Sequence, residues 1–142
     1  MLSQKCKYAL RCVMYLSIHS ENDKKSADEI AEYLKIPKAF TSKILQQLVN
    51  DDIVSSAKGP GGGFYLSASN KKKKVLDVVK SIDGLDFFVN CGLGLSECSN
   101  KNPCPLHNTF IQIREKLYQM FKKTSIQELS DEIIQNGFKL KR

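Results

Sequence analysis

Four side chains able to bind metal lie close together in the second half of the chain: Cys91, Cys98, Cys104 and His107. The gaps between them hold six, five and two residues. Glycine, asparagine and proline fill these gaps (C-G-L-G-L-S-E-C-S-N-K-N-P-C-P-L-H), which excludes a regular helix or strand and makes the segment a ligand-presenting loop. Three thiolates and an imidazole can hold tetrahedral zinc or coordinate an iron–sulfur cluster. A tight C-x2-C zinc knuckle is absent, and wide gaps suit a larger object, which favours a cluster. The competing reading is three free thiols in a loop, with His107 on a helix surface. Unpartnered loop thiols are reactive liabilities, so metal binding is the stronger expectation.

The remaining cysteines, Cys6 and Cys12, fall in an apolar N-terminal segment and read as core residues; Cys6 could alternatively approach a partner chain's cluster. The chain expected around these residues is mainly α with a small β-hairpin wing. Residues 2–20 form a helix apolar on most faces, carrying Ala9, Leu10, Cys12, Val13 and Leu16. Ser26-Ala27-Asp28-Glu29 is a capping box that opens a second helix, ended by Ile36-Pro37. A third helix runs from Lys38 to about Asn50, with Phe40, Ile44, Leu45 and Leu48 as its buried stripe. Lys38, Ala39, Thr41, Ser42, Lys43 and Gln46 are its candidate DNA-contacting residues. Lysine suits guanine or phosphate, glutamine suits adenine and serine suits either. Alone, such a face is more often merely solvated.

The next segment changes that judgement. Strand-like Ile53–Ser56 and Phe64–Leu66 flank Lys58-Gly59-Pro60-Gly61-Gly62-Gly63, which holds half of the eight glycines. A glycine-rich hairpin directly after a recognition-type helix is the wing of a winged helix-turn-helix. Lys58, Gly59, Pro60, Gly61 and Gly62 are the wing residues expected on DNA. A nucleotide-binding loop is excluded, because no Lys-Ser/Thr follows and no helix opens there. A lysine run, residues 71–74, leads a fourth helix with Leu76, Val79 and Ile82 on its apolar face. Leu106, Phe110, Ile113, Leu117 and Met120 then repeat at alternating intervals of four and three along a long helix opened by Pro105, an a/d seam expected at a dimer interface. Packing into its own chain is the competing reading. A tail helix starts at a second capping box, Ser125 and Glu128, and ends in Lys139, Lys141 and Arg142.

The organisation expected is a DNA-binding domain over residues 1–83, a cluster-binding loop over 84–108, and a dimerisation helix with a C-terminal helix over 105–142. The 142 residues carry 42% hydrophobic and 26% charged side chains, ordinary for a globular protein, and a net charge of +7 points to an anionic partner. No apolar run is long enough to span a bilayer, and a cytoplasmic location is expected. No nucleophile–base pair, paired acids or cofactor loop suggests an enzyme.

Several segments together resemble the Rrf-type (Rrf-two) family of bacterial winged helix-turn-helix transcriptional regulators, in its IscR/NsrR-like form. The carriers are Lys7-Tyr8-Ala9-Leu10, Ile30-Ala31-Glu32, Ser42 through Leu48, Lys58 through Phe64, and the cysteine trio. The resemblance implies a homodimer that reads a near-palindromic operator on double-stranded DNA with its third helix, while the wing enters the flanking minor groove. It also implies a 2Fe–2S cluster held by Cys91, Cys98 and Cys104, with His107 as fourth ligand in the IscR-like branch. Where nitric-oxide-sensing relatives use a carboxylate from the partner's first helix, this chain has Lys7, a cation that cannot ligate iron. The gap from Cys91 to Cys98 is one residue longer than in IscR. Lys58 replaces the arginine of many relatives and lacks its bidentate fork. Structural zinc in place of the cluster, or a protein-interaction module that has lost DNA binding, are the alternatives.

Overall fold

The computed structural model describes residues 1–141; Arg142, expected at the basic end, lies outside them. Helix α1 (Gln4–Ser17) begins where the Ser3 hydroxyl accepts the Cys6 amide at 3.0 Å. Cys6, Ala9, Cys12, Val13 and Leu16 recur at helical spacing and are all buried. Helix α2 (Ala27–Leu34) carries the expected reciprocal cap: Glu29 N donates to the Ser26 hydroxyl, and Ser26 N to the Glu29 carboxylate. It ends at Lys35, which takes the left-handed conformation at φ 54°, while Ile36 N donates back to Ala31 O at 3.0 Å. This tight stop turns the chain directly into α3 (Lys38–Asn50).

In α3 the buried set is Thr41, Ile44, Leu45 and Leu48. Two expectations change here. Phe40 is 53% exposed, and Thr41 is wholly buried. The Thr41 hydroxyl donates to Pro37 O at 2.9 Å, so its polar end is satisfied by the preceding turn and its methyl faces the core.

Ile53 and Val54 belong to the core rather than to a strand; strand β1 covers Ser55–Ala57 and pairs antiparallel with β2 (Gly63–Tyr65), Ser56 opposite Phe64. The segment between α1 and α2 adds a third edge, since Lys25 and Phe64 exchange backbone hydrogen bonds at 2.9 and 2.7 Å. Two short helices, α4 (Ala68–Lys71) and, after α5 (Val75–Asp83), α6 (Asp86–Val89), have no counterpart in the sequence reading. The lysine run closes α4 and caps α5 instead of forming one continuous helix.

Helix α7 (His107–Lys123) and helix α8 (Ile126–Asn136) complete the chain. The main core gathers Leu16, Ile30, Leu34, Ile44, Leu45, Leu48, Ile53, Leu66, Val78 and Ile126. Each such side chain contributes roughly 1.5–3 kcal/mol on burial. A second cluster joins Cys6 of α1, Val75 and Val79 of α5 and Phe121 of α7, with Leu117 packed against it. Helix α8 returns to α1, where the Ser130 hydroxyl donates to Ser17 O at 3.0 Å. Lys74 and Ser125 pair as an isolated bridge, with Val75 N to Thr124 O at 3.0 Å and Ile126 N to Lys73 O at 2.9 Å.

Candidate metal centre and nucleic-acid interface

The structure brings the three loop cysteines together: the sulfurs of Cys91, Cys98 and Cys104 all lie within 4.8 Å of one another. Cys91 and Cys104 approach to 3.7 Å. Turns hold the loop in this shape, with Gly94 N donating to Cys91 O at 2.9 Å and Ser99 and Asn102 exchanging backbone hydrogen bonds at 3.1 Å. His107 stands beside Cys98 rather than at the centre of the trio, with Nδ1 3.1 Å from the sulfur. Its Nε2 lies 2.9 Å from Asn100 Oδ1. An Asn carbonyl accepts and cannot donate, so it fixes the proton on Nε2 and leaves the Nδ1 lone pair facing the Cys98 sulfur. Ligating histidines are usually held in this way. Asn100 was not expected from sequence, since a lone asparagine in a polar loop carries no signal.

The electrostatics suit a ligand set. Hydrogen bonds from the Leu95 and Leu93 amides draw the Cys91 thiol down to about 7. The Cys104 amide acts in the same sense on Cys98, but desolvation and the neighbouring thiols outweigh it and the thiol is raised. Burial pushes Cys6 and Cys12 up to about 12, as inert core thiols should be. Cys6 is fully enclosed by its own chain.

The loop is gripped by α7. Phe110 lies so close to Gly92 that a Cβ there would meet its ring at 2.5 Å. Arg114, one turn on, donates to the Asn90 carbonyl. Gly92 and Asn90 flank Cys91, so two side chains of α7 hold the backbone on either side of one ligand. His107, Phe110 and Arg114 share this helix face; the sequence reading expected His107 as a ligand and Phe110 in the apolar seam, and gave Arg114 no role. The seam itself divides. Phe110 and Leu117 lean on their own chain, whereas Leu106, Ile113 and Met120 are 43%, 59% and 52% exposed.

Lys38, Ala39, Ser42, Lys43 and Gln46 all lie exposed along α3. Thr41 is withdrawn from this set by its burial. The wing loop presents Lys58, Gly59, Pro60 and Gly61 to solvent, with Gly62 half-buried. Gly59 and Gly61 have φ of +85° and +74°, conformations that need glycine. A Cβ on Gly62 would collide with Ala57 O, so the turn also needs glycine there for space.

Comparisons with known proteins agree with this architecture. Residues 2–132 match the Rrf2 family, described as iron-dependent transcriptional regulators. A protein of Aquifex aeolicus (strain VF5), which its name places among HTH-type transcriptional regulators, is 31% identical over 129 residues, covering 89% of each chain. The HTH-type transcriptional regulator IscR of Xenorhabdus nematophila is 24% identical over 128 residues, covering 90% of this chain and 77% of its own. Among solved structures, CymR, the global cysteine regulator of B. subtilis, superposes with a TM-score of 0.77 at 19% identity, over 92% of this chain and 96% of that one. IscR of T. potens gives 0.72 at 15% identity, over 98% and 92%. These two share the fold. No helix of the described residues is long and apolar enough to cross a membrane. With a family match across nearly its whole length and a winged helix-turn-helix to match, the chain belongs to the Rrf2 family of transcriptional regulators, which are not enzymes.

Proposed function

We propose that this chain is a sensor-regulator in which a 2Fe–2S cluster on Cys91, Cys98, Cys104 and His107 sets the DNA affinity of a homodimer. The observation that carries the reading is the gathering of three thiols within 4.8 Å at the start of α7. The family's description as iron-dependent and the IscR name of a relative favour iron. The cluster would supply a group whose charge and integrity respond to oxidant, nitric oxide or iron–sulfur supply. The protein's part is mechanical. His107 is the first residue of α7, and Phe110 and Arg114 tie the same helix to Gly92 and Asn90. Leu117 and Phe121, further along α7, rest on Cys6 of α1 and Val79 of α5. Helix α1 in turn packs on α3 through the main core. A shift of the loop therefore has a packed route to the recognition helix. In a two-fold dimer joined through Leu106, Ile113 and Met120, it would change the spacing of two recognition helices that must meet half-sites about 34–36 Å apart. Lys38, Ala39, Ser42, Lys43 and Gln46 would read the major groove, with Lys58 through Gly62 on the neighbouring backbone.

Structural zinc is a second reading favoured by a specific distance. Zinc–sulfur bonds of about 2.3 Å put all the sulfurs on one tetrahedral ion about 3.8 Å apart, and the three sulfurs here lie within 4.8 Å of one another, with Cys91 and Cys104 at 3.7 Å, compact enough for a single ion. Iron, sulfide and zinc content, with a visible absorption spectrum, on protein purified without oxygen separates the two. Iron and sulfide in equal amounts with charge-transfer bands are expected. Zinc alone makes the loop a clasp, and protein that takes up neither metal under reconstitution sinks the metal site.

A further inference from the structure

Arg114 is an unusual residue for its position. It is 7% exposed, its Nε is buried without a hydrogen-bond partner, and one terminal nitrogen donates to the Asn90 carbonyl. Among the described residues the one ion pair within 4.0 Å joins Lys25 and Asp23, so no carboxylate contacts this guanidinium directly. An arginine cannot shed its proton to escape burial, and an enclosed, unpaired charge is strongly destabilising. A single carbonyl does not offset that. The side chain lines a groove together with Asp86, Asn90, Cys91, Gly92 and Phe110, beside the candidate ligand Cys91, and Asp86 makes no ion pair with it.

We infer that Arg114 is the counter-charge of the metal group bound by the cysteine loop, as well as a positioning residue for Cys91. This rests on the metal reading above. Three thiolates make either a 2Fe–2S cluster or a zinc ion net negative, and one-electron reduction of a cluster adds a further negative charge. A fixed cation nearby lowers the cost of assembling that charge and favours the reduced state. The same guanidinium holds the Asn90 carbonyl and so the backbone entering Cys91.

The test uses the full chain, purified without oxygen, as wild type, Arg114→Gln and Arg114→Lys. Midpoint potentials are titrated optically, and the rate of metal loss to a chelator is followed. The glutamine keeps a hydrogen-bond donor but no charge, and its redox equilibrium is expected to shift about tenfold toward the oxidised state, ~59 mV for a one-electron couple. Its metal should also leave several-fold faster. The lysine should restore most of the potential. Unchanged potential and release rate in Arg114→Gln overturn the inference, as do equal shifts in both variants, which would assign the effect to arginine's shape. Should Arg114→Gln fail to fold, a wild-type potential in Arg114→Lys supports the charge and a shifted one refutes it. Zinc in place of iron in the wild type defeats the cluster reading separately; chelator release then decides on Arg114, faster loss in Arg114→Gln supporting it and equal loss overturning it.

Discussion

Cys91 is the loop thiol that two backbone amides hold ready to ionise. With its pKa drawn down to about 7, it becomes substantially thiolate between pH 6 and 8 in the metal-free chain. Cys6 and Cys12, raised to about 12, stay protonated across that window. Metal-free protein treated with iodoacetamide at pH 7.5 should therefore be labelled first at Cys91 by peptide mass mapping, with a rate that climbs from pH 6 to 8. Labelling of Cys12 ahead of Cys91 would contradict the assignment. Gly92 is bound to its neighbour differently, by lack of space. The 2.5 Å approach of a Cβ to the Phe110 ring means that Gly92→Ala must displace the ring or the loop. Overpacking of this kind costs typically 1–3 kcal/mol, so thermal unfolding should fall by several degrees. Metal retention should fall with it, because the displaced backbone carries Cys91.

At the scale of elements, the wing depends on a contact far away in sequence. Gly63 has φ +140°, and a Cβ there would lie 2.7 Å from the Lys25 carbonyl. Gly63→Ala is expected to unseat the wing from the Lys25 edge and weaken operator binding at least tenfold, measured by fluorescence anisotropy, while far-UV circular dichroism stays helical. The sequence could announce the wing, since glycines between two apolar strand-like runs have few other uses. It could not announce the Lys25 edge, because a polar break between helices looks the same whether or not it pairs with a strand. The order of helices α1, α2 and α3 was legible from capping boxes and helical spacing. Thr41 and Phe40 were misplaced because residue type was read as side: a threonine that bonds its own preceding turn can bury its methyl, and an aromatic can lie outside. The candidate metal ligands were visible as residue types, while Asn100, Gly92 and Arg114 were not, since what makes them matter is the three-dimensional approach to the loop. Arg114 stands four residues after Phe110 and three before Leu117, a charge inside an apolar spacing, which is the one signal that could have marked it.

For the whole molecule, the exposed part of α7 is the surface proposed to meet a second copy of the chain. Ile113 and Met120 are more than half exposed on a helix that buries His107, Arg114 and Phe121 against its own chain. Ile113→Glu with Met120→Glu should convert a dimer to a monomer by sedimentation equilibrium. Operator affinity should drop by more than tenfold while metal content is kept, because the ligands are held within one chain. A dimer that survives both charges would place the interface elsewhere.

Lys74 and Ser125 meet side by side, and α8 then settles against α1, so the stretch from α5 to the end of α7 is closed at its two ends by one backbone bridge. The turn around Lys101 and Asn102, within that closed stretch, is exposed. A protease nick there would cut the polypeptide in two without releasing either piece, because Ile126 and its neighbours would still be seated in the other fragment's core. The nicked protein would run as two bands under denaturing conditions and as one particle in solution. It would keep its winged helix, while Cys98 and Cys104 would no longer share an unbroken backbone.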